Sequence, residues 1–251
     1  MDDALPRTLL QLNARAVRDG VALDAPRGLA ELPWLLRLLL ADVFAQIQAG
    51  EEAALRSIRR VVIQETLVEA RRCALLQERD ERRHVDFFAK AADHLGVRRF
   101  PMRELVDFLA LATAPHALPG LLLANNLVVE TLAHELFRDV AQVLLSLGEK
   151  HWLPAGWRQT FRALGKSLGV IFRDESRHVA FGVLRLRSLR EQLSAQERAA
   201  FDSDAQEWEG RLSTALEKLP IFPLLRPWFR QRTKAILRQY RERCHDVGVR
   251  W

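Results

Sequence analysis

Two short segments of this chain repeat one arrangement of acid, base and imidazole. Arg79-Asp80-Glu81-Arg82-Arg83-His84-Val85 and Arg173-Asp174-Glu175-Ser176-Arg177-His178-Val179 both read Asp-Glu-x-Arg-His-Val. Positions three apart on a helix share a face. Glu81 with His84, and Glu175 with His178, can therefore each aim a carboxylate and an imidazole at one point. Two such pairs, plus one Glu from each of two further helices, would make a site for two metal ions in a bundle core. A single Glu-x-x-His arises readily by chance; the doubling gives the pattern its weight. The competing reading is two solvated helix faces carrying charge pairs.

The two further carboxylates can be sought on apolar helix faces. After Pro33, apolar residues recur through Leu36, Leu40, Val43, Phe44 and Ile47 at helical spacing. Glu51 continues that stripe, with Phe44, Ile47, Leu55 and Ile58 one and two turns away, whereas Glu52 shares its side with Gln48, Arg56 and Arg59. Glu130 sits likewise among Leu123, Leu127, Ala133, Phe137 and Ala141. A carboxylate on a core face is costly without a partner, and a metal ion is one such partner. His134, a turn beyond Glu130, is open to three readings: an extra ligand, a base behind the site, or a packed core residue.

The elements must bring these residues level. Read as one continuous helix, residues 51 to 81 would set Glu51 and Glu81 about 45 Å apart. A break is expected near residue 66, where the β-branched run Val61-Val62-Ile63 precedes a capping box, Thr66-Leu67-Val68-Glu69. Position 66 is also midway between 51 and 81. The second hairpin should turn at Gly148–Gly156, near the midpoint of Glu130 and Glu175. The remaining expectations are a first helix over about Leu5–Arg18 and a loop with Gly20, Pro26 and Gly28. The second bundle helix should run from about Leu67 to Leu95 and stop at Gly96. A crossover over 97–118 holds a short helix, Arg103–Leu111. The third bundle helix spans about Gly120–Leu147 and the fourth about Trp157–Leu193. A fifth helix is capped by Ser194-Ala195-Gln196-Glu197 and runs to about Leu219, broken by Pro220 and Pro223. A last basic helix covers about Pro227–Arg243. The chain is expected to form a single domain: an N-terminal extension over 1–32, a di-metal bundle over 33–193, and accessory C-terminal helices over 194–251.

Composition bounds the classes. Of 251 residues, 49% are hydrophobic, enough for a sizeable core. Two cysteines without a CxxC exclude a disulfide framework and a thiolate zinc site, and suit a cytoplasmic protein. No signal peptide and no membrane span is evident. The net charge is +6, carried mostly by Arg interspersed with acids, so nucleic acid is not favoured as a partner.

Four carboxylates and two imidazoles suit iron or manganese rather than structural zinc. Here a resemblance can be named. Glu81-Arg82-Arg83-His84 and Asp174 to Gly182 resemble the ribonucleotide reductase small-subunit superfamily. Gly50-Glu51-Glu52 and Val129-Glu130-Thr131-Leu132-Ala133 are similar to motifs of its ligand-binding oxidase branch, with aminobenzoate N-oxygenases more distant. The fold expected is all-α: a ferritin-like four-helix bundle with one long crossover and extra C-terminal helices. The resemblance implies that Glu51, Glu81, His84, Glu130, Glu175 and His178 are metal ligands and catalytic. Asp80 and Asp174 would orient the two imidazoles. The cofactor implied is two iron ions or a Mn/Fe pair, with O₂ as co-substrate and an external electron donor.

Departures narrow the expectation. Reductase small subunits hold a radical tyrosine four residues after the first ligating His, and that position here is Phe88. The ligand-binding oxidases form a Val–Tyr crosslink, and the matching positions here are Ala54 and Asn125. Radical generation for nucleotide reduction is therefore rejected. Asn125 and Asn126 put amides near the site instead. The reading favoured is an oxygenase or oxidase that hydroxylates or N-oxygenates a small organic substrate in a biosynthetic pathway, as a homodimer, served by an electron donor protein. The alternatives are a ferroxidase or iron-handling protein, a hydroxylase of RNA or of a carrier-tethered substrate, and a metal-free binding module.

Overall fold

The computed structural model describes residues 4–18, 23–218 and 226–251, and among these there is no strand. In order come α1 (Ala4–Arg18), a 3-10 turn (Arg27–Glu31), α2 (Trp34–Gln64), α3 (Val68–Leu95), α4 (Arg103–Ala112), α5 (Leu118–Leu122), a π-helical stretch (Leu123–Val129), α6 (Glu130–Gly148), α7 (Ala155–Gln192), α8 (Ala195–Lys218) and α9 (Arg226–Val247). Gly20, the expected end of the fifth helix at Leu219, and the breakers Pro220 and Pro223 lie outside the described residues. The fold is the all-α, ferritin-like arrangement expected.

The first hairpin, α2–α3, turns where the spacing requires, but by another device. The capping box at Thr66 does not form: Leu67 is the residue before the helix, and its own side chain caps nothing. Glu65 does that work. Its Oε1 accepts the Leu67 N–H at 2.9 Å, and both its oxygens are gripped by the Arg185 guanidinium of α7 at 2.7 and 3.0 Å. A buried fork-to-fork pair gives direction as well as attraction. The β-branched run Val61-Val62-Ile63 stays helical. α3 ends at Gly96, whose φ of 62° is the left-handed value a helix C-terminus favours.

The crossover is strapped to α2. Arg60 donates to the carbonyl oxygens of Thr113 and Pro115 at 2.5 Å each, and Gln64 donates to that of His116 at 2.8 Å. The expected third bundle helix is not uniform. It opens as α5, widens into a π-helix over Leu123–Val129, and becomes regular only at Glu130. The second hairpin, α6–α7, turns through the expected loop. The box at Ser194 does form: Ser194 N–H donates to Glu197 Oε2 at 2.8 Å, and Glu197 N–H donates to Ser194 Oγ at 3.3 Å. α1 lies across α3 and α7, while α8 and α9 pair with each other and cover α4, α6 and α7.

Two apolar clusters fill the interior. One gathers Phe44, Phe87, Phe88, Phe137, Leu164 and Ile171. The other gathers Ile58, Ala74, Leu127, Phe181, Trp208 and Tyr240. On α2, α3 and α7 the boundary between them falls at Glu51, at Glu81 and His84, and at Glu175 and His178, with Glu130 one turn inside the second cluster on α6, so the polar groups form a seam between two apolar regions.

Candidate metal centre

All six side chains named from sequence converge, and none is more than 3% exposed. They form two overlapping quartets: Glu51, Glu81, His84 and Glu175, and then Glu81, Glu130, Glu175 and His178. Within each, four donor atoms lie within 4.8 Å of one another. Glu81 and Glu175 belong to both. Glu81 sends one oxygen to 3.6 Å from His84 Nδ1 and the other to 3.1 Å from His178 Nδ1. Glu175 does the same at 3.3 Å on each side. Glu51 lies 3.0 Å from His84 Nδ1, and Glu130 lies 3.6 Å from His178 Nδ1. The geometry is thus that of two shared carboxylates, each end closed by one further carboxylate and one imidazole. The imidazole centroids are 6.2 Å apart.

The donor set fits two hard-to-borderline cations. Glu81 Oε2 and Glu175 Oε1 are buried without a hydrogen-bond partner. Such orphans are expensive unless something positive meets them. Four carboxylates and two neutral imidazoles would present lone pairs to such cations, a donor set that suits iron or manganese.

The doubled motif also builds the shell behind the donors, and it does so crosswise. Asp174, beside Glu175 on α7, accepts from Nε2 of His84 on α3 at 3.1 Å. Asp80, beside Glu81 on α3, stands 3.7 Å from Nε2 of His178 on α7. Each aspartate thus steadies the imidazole of the other copy and leaves Nδ1 for the centre. Arg83 and Arg177 then each bridge both aspartates. Arg83 reaches Asp80 at 3.3 Å and Asp174 at 2.5 Å; Arg177 reaches Asp80 at 3.1 Å and also contacts Asp174. This role of the motif's Arg went unread in the sequence, although its repetition carried the signal.

Burial and charge together set the protonation pattern of the metal-free site. Burial, then the Glu175 charge, pushes Glu51 well above the usual carboxylate range. Burial, then Glu175 and Glu81, does the same to Glu130. Burial opposes charge on both imidazoles, yet the surrounding carboxylates hold His84 and His178 protonated well above their ordinary range. Protons therefore stand where cations would.

The amides expected near the site are there, and a third joins them. The π-helical turn lets the Glu130 N–H donate to the carbonyl of Asn125, five residues back. Asn125 Nδ2 then lies 3.4 Å from Glu130 Oε1. Asn126 donates to the His178 carbonyl oxygen and to Gln77 Oε1, both at 2.9 Å. Gln77, missed in the sequence, donates to Glu130 at 2.7 Å and Glu81 at 3.2 Å. Its place four residues before Glu81 puts it on the same helix face. A Cβ on Gly182 would come within 2.3 Å of Asn126 Cβ, so only glycine admits the π-helical stretch this close to α7.

His134 does not join the donors. It packs on Phe172 at 4.5 Å and faces Arg243 at 3.3 Å and Glu135 at 3.4 Å. Phe88 is packed against Phe44, Phe87 and Phe137, so no phenol stands there. A cavity of about 230 Å³ adjoins the centre between α2, α4 and α6. Its wall is almost wholly apolar, with Ile47, Leu105, Leu132, Leu136 and Phe137, and Glu51 lies on it.

No protein-family model and no curated protein matches the sequence. Solved structures do match. A Tyr-to-Phe variant of an R2-like ligand-binding oxidase with aerobically reconstituted Mn/Fe cofactor aligns with a TM-score of 0.73 over 95% of this chain and 92% of that one, at 17% identity. The R2-like ligand-binding oxidase from Sulfolobus acidocaldarius aligns with a TM-score of 0.67 over 97% and 90%, at 18% identity. The chain has the fold of the R2-like ligand-binding oxidases. Within that fold, few positions are shared and the donor cluster must be argued from its own geometry. No helix among the described residues is long and apolar enough to cross a membrane.

Proposed function

We propose that this chain is a non-haem di-metal oxidase or oxygenase. Glu51, Glu81, His84, Glu130, Glu175 and His178 would hold an iron pair or a Mn/Fe pair, which supplies activation of O₂ and oxidation of a bound organic molecule. The observation that carries this reading is the pair of overlapping quartets beside an apolar cavity. The Tyr-to-Phe R2-like variant carries a Mn/Fe cofactor, which supports the assignment of metals. Each residue then has a task. Glu81 and Glu175, which belong to both quartets, would hold the pair between them, Glu51 and Glu130 would each hold one end, and the Asp–Arg frame fixes both imidazole rings. The apolar wall of the cavity excludes water and receives the carbon skeleton of the substrate, presenting it at the Glu51 end. Hydroxylation or N-oxygenation within a biosynthetic pathway is the reaction class proposed. The cavity favours an organic substrate over iron storage, because an ion path would be lined by polar groups.

Metal analysis with O₂ uptake tests the reading. Metal-free protein loaded anaerobically with Fe(II), with or without Mn(II), should hold two ions per chain and consume O₂ on exposure. Glu130→Ala should hold fewer ions and lose the uptake. Wild-type protein that binds neither ion, or binds both without consuming O₂, would overturn the assignment.

A further inference from the structure

The two ends of the centre are closed by the same residue type in different surroundings. Glu51 accepts from His84 alone among the described residues and faces the apolar cavity. Glu130 has one oxygen, Oε1, taken by Gln77 Nε2 at 2.7 Å and approached by Asn125 Nδ2 at 3.4 Å. Oε2 is the oxygen that meets His178, 3.6 Å from its Nδ1. The orientation of the Gln77 amide is fixed from behind. Asn126 must present its Nδ2 to the His178 carbonyl oxygen, which can only accept, and the same Nδ2 meets Gln77 Oε1. Gln77 is then obliged to aim its two N–H donors at Glu130 and Glu81. All three amides are buried, so water does not compete for these bonds, and a buried donor left without its acceptor would be costly.

Resting on the reading of the centre given above, we propose that Gln77 is a positioning residue that holds Glu130 to a one-oxygen contact with the metal pair. It thereby makes the His178 end rigid while Glu51 stays free to shift. With Oε1 held by the Gln77 amide, Glu130 can close a chelate ring on an ion only by sharing or giving up that hydrogen bond. Glu51 has no such commitment and can change its mode of contact as the substrate cavity fills. The clamp is assembled by the π-helical stretch, which places Asn125 over Glu130 and Asn126 against α7. A regular helix would turn them apart, since five residues at about 100° each is well off one face.

Stepwise metal binding by the full chain tests this. Metal-free protein is titrated anaerobically with Mn(II) by calorimetry, and with Co(II) by visible absorption, whose intensity follows coordination number. In Gln77→Met, which keeps length and volume but removes the amide, one of the two binding steps should weaken about 10- to 100-fold. The other should change by less than about twofold, and the Co(II) spectrum of only the weakened ion should alter. Equal weakening of both steps means a general structural role and overturns the proposal, as does no weakening of either. If Gln77→Met does not fold, Asn126→Ala, which frees Gln77 to turn, is judged by the same outcomes. A wild-type chain that takes up no pair of ions sinks the metal centre itself. A wild-type chain that takes up two, with both steps unchanged in the variants, sinks the clamp alone.

Discussion

At the scale of single residues, the site is governed by what replaces its protons. His84 and His178 are held protonated by carboxylates, and Glu51 and Glu130 are pushed toward their neutral forms. Ions bind only the neutral imidazole and the ionised carboxylate. All four of these shifts are upward, so all four groups give up protons when ions enter. Metal affinity should therefore rise with pH until it passes the raised values, and loading should release protons into a weakly buffered solution. A pH-independent affinity from about pH 6 to pH 8 would contradict this. Asp174 offers a second check. Its hydrogen bond fixes the His84 ring, so Asp174→Asn should cost about 10- to 100-fold in metal affinity with little change in helicity by circular dichroism. The donors were legible in sequence because Glu-x-x-His and a carboxylate on an apolar stripe are local patterns. Arg83, Arg177 and Gln77 were not, because their partners come from other helices: Arg83 spans α3 to α7, and Gln77 spans α3 to α6 and the π-helical stretch.

At the scale of elements, the positions of turns were readable and their chemistry was not. Equal spacing on either side of residue 66 demanded a turn, and one is there. The sequence offered Thr66 and Glu69 as its cap, a local pair that a linear reading finds easily. The cap used is Glu65, paired with Arg185, which is 120 residues away along the chain and so invisible to any window. The two readings separate by mutation. Glu65→Ala leaves the buried Arg185 guanidinium uncompensated and should destabilise by about 3–5 kcal/mol. Thr66 is exposed and caps nothing, so Thr66→Ala should stay within about 0.5 kcal/mol of wild type. Denaturant unfolding of both variants measures the difference, and equal losses would restore the capping box. The π-helical stretch was equally hidden. Leu123–Val129 is buried on every side, so its apolar pattern has no period from which a widened turn could be told from a regular one.

At the scale of the molecule, the seam between the two apolar clusters is where the proposed ions would tie the fold together. Each quartet draws on both hairpins: Glu51, Glu81 and His84 from the first with Glu175 from the second, and Glu81 from the first with Glu130, Glu175 and His178 from the second. Neither ion can be bound by one hairpin alone, so binding free energy becomes cohesion between hairpins. An ion at about 100 times its dissociation constant contributes about 2.7 kcal/mol, which for a domain of this size is roughly 5–10 °C in Tm. Chelator treatment should lower Tm by about that amount per ion, and anaerobic Mn(II) or Fe(II) should restore it. Amide exchange should quicken on removal in α2, α3, α6 and α7 together, because the lost contacts are shared among all four. Exchange that quickens in one hairpin only would mean that the ions sit on one side of the seam, and the overlapping quartets would then not describe how they are held.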